Sequence, residues 1–265
     1  MIDRADILEE ITAIAPPGAH LDGAILARMR ELSAALVAVS ADSLAEFRRY
    51  LAVMDRGIVM PDQLVADLLA GRTMLVTGAS GCIGSALLGQ LARYRPARVV
   101  TLDVAGPPAE PHTTHCRLDI RDRDALVDLV ADIRPDVVFH QAAQRDPGLA
   151  ERAVCRTVTT NVFGTRNLVE ACARTAVPRL VHASTGKALR PYATDVYAAS
   201  KRAAELIVTD AATRGMQTAS AVRFTHVVDN AIVLSRFRAW RASGEALRVH
   251  SVDLPFYVQS ALESA

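Results

Sequence analysis

The chain has 265 residues, a formal net charge of +1 and an apolar content of 51%, enough for one sizeable core or one domain with an appendage. Charge so close to balance, with no basic run and no arginine–aromatic cluster, argues against nucleic acid or an anionic membrane as the main partner. No apolar run is long enough to span a bilayer, the opening MIDRADILEE is acidic and polar rather than signal-like, and four scattered cysteines form no CxxC pair, so a reduced, cytoplasmic protein is expected.

Residues 1–70 carry apolar residues at helical spacing and no strand pattern. Ile7, Leu8 and Ile11 suit a short first helix, which Pro16-Pro17-Gly18 breaks from a second striped by Ile25, Leu26, Met29, Leu32 and Leu36. Ser43 to Glu46 has the capping-box spacing that opens a third. Pro61 suits the first turn of a fourth, which carries Leu64, Val65, Leu68 and Leu69, and Gly71 is placed to end it. This region is expected to be a helical appendage that packs on the main domain or forms a homodimer, without chemistry of its own.

Residues 72–265 read as strand–helix alternation. Strand-like runs occupy Met74–Thr77, Val99–Leu102, Val137–His140, Leu180–Ala183 and Ala219–Phe224, with a weaker one near His115–Leu118. Helical stretches separate them at Gly84–Tyr94, Asp124–Ile133, Leu149–Thr175 and Ala198–Arg214, with Asp122 and Asp195 as N-caps. Short buried strands alternating with helices predict an α/β fold with a parallel sheet covered on both faces.

The first run leads into Gly78-Ala-Ser80-Gly81-Cys82-Ile83-Gly84 and then a helix. Three glycines at this spacing allow a tight turn, a close backbone approach to a pyrophosphate, and helix–strand packing, while the helix N-terminus offers unpaired N–H groups. Asp103 ends the next strand, where a carboxylate binds ribose hydroxyls and repels a 2′-phosphate, so NAD is expected over NADP. The prediction is a Rossmann-type doubly wound parallel sheet with an N-terminal helical appendage and a short, reduced C-terminal lobe.

The order TGxxGxxG resembles the extended short-chain dehydrogenase/reductase superfamily. Leu118-Asp119-Ile120 is similar to the segment that meets adenine, and Val138–Ala143, containing Gln141, Ala142 and Ala143, to the strand end beneath the cofactor. Thr160-Asn161-Val162-Phe163-Gly164-Thr165 resembles TNVxGT, and Tyr197-Ala-Ala-Ser-Lys201 matches YxxxK. Within that superfamily the chain resembles the nucleotide-sugar dehydratases and epimerases of polysaccharide biosynthesis, whose signature reads near STDKAxxPxxxYGATK. Here Ser184, Thr185, Lys187 and Pro191 match, Gly186 stands in place of the acid, and two residues are inserted before Tyr197. Val222–Val227, with Thr225-His226 replacing Gly-Asn, resembles RxGNV, Gly244–His250 resembles GxPLTVT, and Pro255-Phe256-Tyr257 lies near TRFFM.

Tyr197 and Lys201 are four apart and share one face of a helix, where the ammonium is expected to lower the tyrosine pKa. Tyr197 then accepts a proton from a substrate hydroxyl, Lys201 holds the nicotinamide ribose, and Ser184 or Thr185 binds the substrate oxygen, as the resemblance implies. His226 is weighed as a substitute general acid against a strand-end histidine, and Arg236, Arg238 and Arg241 as a diphosphate-facing set against a solvated helix face. Histidine spacing gives no metal site. The resulting expectation is an NAD-dependent epimerase, dehydratase or dehydrogenase acting on a small-molecule secondary alcohol of a sugar or nucleotide sugar. The alternative is a catalytically weak NAD-binding subunit or interaction module.

Overall fold

The computed structural model describes residues 3–16, 18–39, 45, 48–108, 110, 112–190, 192, 195–230, 235, 239–240, 242–243 and 257–265. The Ser43–Glu46 capping box, Pro191, Arg236, Arg238, Arg241, the 244–250 match and Pro255-Phe256 lie outside the described residues. The chain divides into two compact units: Met1–Arg56 with Ala231–Val258, and Gly57–Asn230 with Gln259–Ala265.

In the first unit, α1 (Arg4–Ile14) opens on a capping box in which the Asp3 carboxylate accepts from the Ala5 and Asp6 amides and Asp6 accepts from the Asp3 amide. α2 (Gly23–Val39) buries Leu32 and half-buries Ile25, Leu26, Met29 and Leu36, the predicted stripe. Arg28 donates to Glu10 at 2.8 Å and ties the two helices together.

The second unit begins with α3 (Asp62–Leu69). Val65, Ala66 and Leu69 of this helix pack with Met74, Leu91 and Tyr94, and the Tyr94 hydroxyl donates to Asp62 at 2.7 Å. The sheet follows in the order β3-β2-β1-β4-β5-β6, every pair parallel: β1 Thr73–Thr77, β2 Arg98–Asp103, β3 Thr114–Arg117, β4 Val137–His140, β5 Arg179–Thr185 and β6 Thr218–Phe224. The period-2 alternation of β1 sends Leu75 to one face and Met74 and Val76 to the other. Leu75 joins Val100, Leu102, Val138 and Leu180 under α5 (Arg123–Ile133) and α8 (Thr165–Arg174). Met74 and Val76 join Leu87, Leu88 and Leu91 of α4 (Cys82–Ala92). Both sheet faces are covered, which is the Rossmann-type arrangement.

The predicted helix over Leu149–Thr175 is divided. α6 (Pro147–Arg152) stops at Ala153, whose backbone leaves the helical region at φ −130° and ψ 56°, and α7 (Val154–Val158) continues into a π-helical turn, Thr159–Gly164, before α8. Asp122 and Asp195 cap α5 and α9 (Val196–Thr213), accepting from Ala125 and Ala198 amides. A short α10 (Ala261–Ser264) ends the chain on the α4 side, where the Ala261 amide donates to Asp229 at 2.9 Å. No helix among the described residues is long and apolar enough to cross a membrane.

Candidate functional site

The strand order reverses between β1 and β4, and open α/β sheets bind ligands where their strand C-termini part at such a point. There the chain leaves β1 through Gly78, whose φ of +70° suits glycine and whose added Cβ would sit 2.5 Å from the Ala142 amide nitrogen. At Gly84 a Cβ would overlap the Gly78 carbonyl oxygen and lie 2.8 Å from the Ala79 Cα. The turn therefore packs directly on the first turn of α4, which begins with Cys82 and Ile83. Gly81 caps α4 with no side-chain acceptor, so its opening amides retain hydrogen-bonding capacity.

A cavity of about 330 Å³ opens beside this turn, lined by Gly78, Ser80, Gly81, Asp103, Asp119, Ile120, Gln141, Ala142 and Ala143 together with Gln144, Arg145, Arg156 and Thr160. The Asp103 carboxylate accepts from the Ser80 and Ala105 amides, both at 3.0 Å, and so is fixed at the cavity rim. Asp119 is clasped by the Arg121 guanidinium through contacts of 2.6 to 3.0 Å, which holds its carboxyl below the usual range. Glycine backbone and an uncapped helix end supply donors for a pyrophosphate, and an acid on the neighbouring strand supplies an acceptor for ribose hydroxyls, the combination that suits a dinucleotide. Arg145, in the loop after β4, and Arg156, on α7, carry no motif or spacing signal, so the sequence did not mark them.

Asn161 lies in the π-helical turn and is 1% exposed. Its side chain accepts from the Gln144 amide at 2.7 Å, donates to the Gln144 carbonyl, and donates to Ser200 on α9, which pins the cavity floor to the helix carrying Tyr197 and Lys201. π-turns recur at functional sites because they re-aim side chains. Beneath them His140 is held between Thr77 and Thr165, and burial pushes its pKa down to about 3, so it is neutral.

The second group gathers at the C-terminal end of β5. Thr185 stands beside the Tyr197 hydroxyl, and the Lys187 ammonium lies 6.0 Å from the Tyr197 ring centroid and 4.0 Å from the Asp195 carboxylate. Ser184 instead donates to Glu205, so Thr185 is the hydroxyl that meets the tyrosine. Lys201 is buried; its ammonium donates to the Ala183 carbonyl at 2.6 Å and to His182 Nε2 at 3.2 Å. With Lys201 charged, the His182 proton sits on Nδ1, a buried atom without a partner among the described residues.

One electrostatic expectation is corrected. Burial raises the Tyr197 pKa, and Thr185 and Arg145 oppose that rise, whereas Lys201 turns its charge to β5. Burial also pushes Lys201 down to about 7, with Glu205 resisting. His226 follows β6 half-buried, and burial lowers its pKa.

Residues 74–264 match the family described as polysaccharide biosynthesis protein. The chain belongs to that family. Among relatives, it is 30% identical over 177 residues to the probable polysaccharide biosynthesis protein EpsC of Bacillus subtilis, covering 62% of this chain and 29% of EpsC. It is 27% identical over 143 residues to an inverting UDP-N-acetylglucosamine 4,6-dehydratase of Campylobacter jejuni, covering 51% of this chain and 42% of the dehydratase. The chain thus spans less than half the length of these curated relatives. Among solved structures, MoeE5 in complex with UDP-glucose and NAD superposes with a TM-score of 0.61 at 27% identity, over 71% of this chain and 68% of MoeE5.

Proposed function

We propose that this chain binds NAD in the cavity beside Gly78–Gly84 and oxidises a secondary alcohol of a sugar or nucleotide sugar, with Tyr197 as the acid–base group. The observation that carries this reading is the placement of Thr185 against Tyr197 on the same sheet edge as the glycine turn and Asp103. NAD, when bound, supplies the hydride acceptor. Asp103 binds the adenosine ribose hydroxyls, and the α4 amides bind the pyrophosphate. Thr185 and Tyr197 together hold the substrate hydroxyl, and Tyr197 Oη takes its proton. Lys187, exposed at the mouth of this group, lies where a substrate diphosphate or leaving hydroxyl approaches. Relatives named as a nucleotide-sugar dehydratase and a UDP-glucose 4-epimerase support the substrate class. With Gly186 in the acid position of the dehydratase signature, retained cofactor and epimerisation, or net dehydrogenation, fit better than loss of water.

A second reading, an NAD-binding subunit with little catalysis, draws on the hydrogen bonds of Lys201 to β5 and the raised pKa of Tyr197. One experiment separates the two. Purified protein is assayed for bound NAD and then incubated with a panel of nucleotide sugars while absorbance at the NADH band and product stereochemistry are followed. Turnover supports the enzyme; bound NAD without turnover on any sugar supports the subunit; absence of NAD binding overturns both.

A further inference from the structure

Lys187 and Lys201 are the chain's only two lysines among its 30 basic residues. Lysine differs from arginine in having a compact charge whose protonation shifts readily on burial. Lys201 is 3% exposed, and one turn further along α9 Glu205 is 6% exposed. The Glu205 carboxylate is held from two strands. Ser184 Oγ of β5 donates to it, and Arg223 of β6 forks onto both its oxygens at 2.6 to 3.2 Å. Ser184 and Arg223 are register partners across the two strands. Lys201, for its part, bonds the carbonyl of Ala183, the residue before Ser184. Helix α9 therefore grips the end of β5 at consecutive residues, with a cation at one and an anion at the next.

We propose that Glu205 is a positioning residue for Lys201, its carboxylate anchored by Ser184 and Arg223 so as to supply the counter-charge that keeps the buried lysine an ammonium directed at β5. The inference rests on the reading of Lys201 as part of the active site. A buried ammonium is costly unless a charge or a full set of acceptors compensates it. The groups facing Lys201 are His182 from β5 and His140 from β4, both neutral because burial disfavours their charged forms, and Glu205 from α9. Tyr197 lies one turn earlier on α9. Arg223 reaches in from β6 and, with Ser184, keeps the Glu205 carboxylate ionised against the cost of its burial. Glu205 thus raises the proton affinity of Lys201, and Arg223 acts in the same direction by holding Glu205 charged.

A chain with two lysines makes the test direct. Protein labelled with ¹³C/¹⁵N-lysine gives two side-chain signals, assigned with Lys187→Arg, and the Lys201 signal is titrated without cofactor or substrate. Glu205→Gln is expected to lower the Lys201 midpoint by about one pH unit or more. Arg223→Met should lower it too, because the buried carboxylate loses the partner that keeps it ionised. Glu205→Asp keeps the charge and should return the midpoint most of the way to the parent value. An unchanged midpoint in Glu205→Gln, or an equal fall in Glu205→Asp, would overturn the proposal. If Glu205→Gln does not fold, Arg223→Met carries the test: a fall supports it, and a rise or no change overturns it. Because no turnover is read, failure here is separate from failure of the proposed reaction.

Discussion

The Lys201 ammonium donates to the Ala183 carbonyl at 2.6 Å, inside the end of β5. The YxxxK spacing puts Lys201 one turn after Tyr197, but packing sends its charge to the strand, and burial sets the titration of both groups. That relationship shapes the predictions.

The first concerns Tyr197. Replacing it with phenylalanine removes the proton acceptor and keeps the ring between Thr185 and Lys187. NAD affinity, measured by calorimetry, should stay within about threefold, while turnover should fall by roughly a hundredfold or more, the usual contribution of a positioned acid–base group. Parent-like turnover would remove Tyr197 from the reaction.

Cofactor choice depends on Asp103. Its carboxylate, fixed by the Ser80 and Ala105 amides, should make NAD bind more tightly than NADP, since a 2′-phosphate would meet it with like charge. Asp103→Asn should narrow the preference. Equal or tighter NADP binding by the unchanged protein would refute the assignment.

Lys201 makes stability depend on pH. Its folded pKa, about 7, lies below the ordinary value of 10.5, so between those values the unfolded chain binds more protons and stability rises with pH. Below pH 7 the full cost of charging the buried amine persists. Lys201→Met removes this dependence. The melting temperature of the parent minus that of Lys201→Met, followed by differential scanning calorimetry from pH 7 to 10, should increase with pH. A flat difference would show that Lys201 keeps an ordinary pKa.

Gly84→Ala tests the packing that brings α4 to the turn. The new methyl would press on the Gly78 carbonyl and the Ala79 backbone, which are not flexible side-chain ends. A loss of about 1–3 kcal/mol in urea denaturation is expected, as for overpacked cores, together with weaker NAD binding. Full stability with unchanged binding would show that the turn relaxes freely.

The order of strands and helices was legible in the sequence because each strand of a covered parallel sheet is a short apolar run and each crossover helix has its own period, with Asp122 and Asp195 marking the starts of α5 and α9. The glycine turn, Asp103 and Tyr197 were legible for a related reason: backbone freedom and local spacing leave marks within a few residues. Ala153 shows where that ends. Nothing near it breaks helical periodicity, yet the backbone departs there and the chain continues into the π-turn that seats Asn161 against Gln144 and Ser200. The partners of Ser184 and Lys201 were equally hidden. Whether a serine hydroxyl faces substrate or Glu205, and whether a lysine charge faces its helix neighbour or a strand carbonyl, depends on which side chains the packed sheet brings within about 3 Å. Sequence alone determined the fold and marked candidates such as Gly78, Asp103 and Tyr197; the tertiary structure brought Arg145 and Arg156 to the cavity and decided which hydrogen bonds and which buried charges these residues share, because those depend on contacts between segments far apart in the chain.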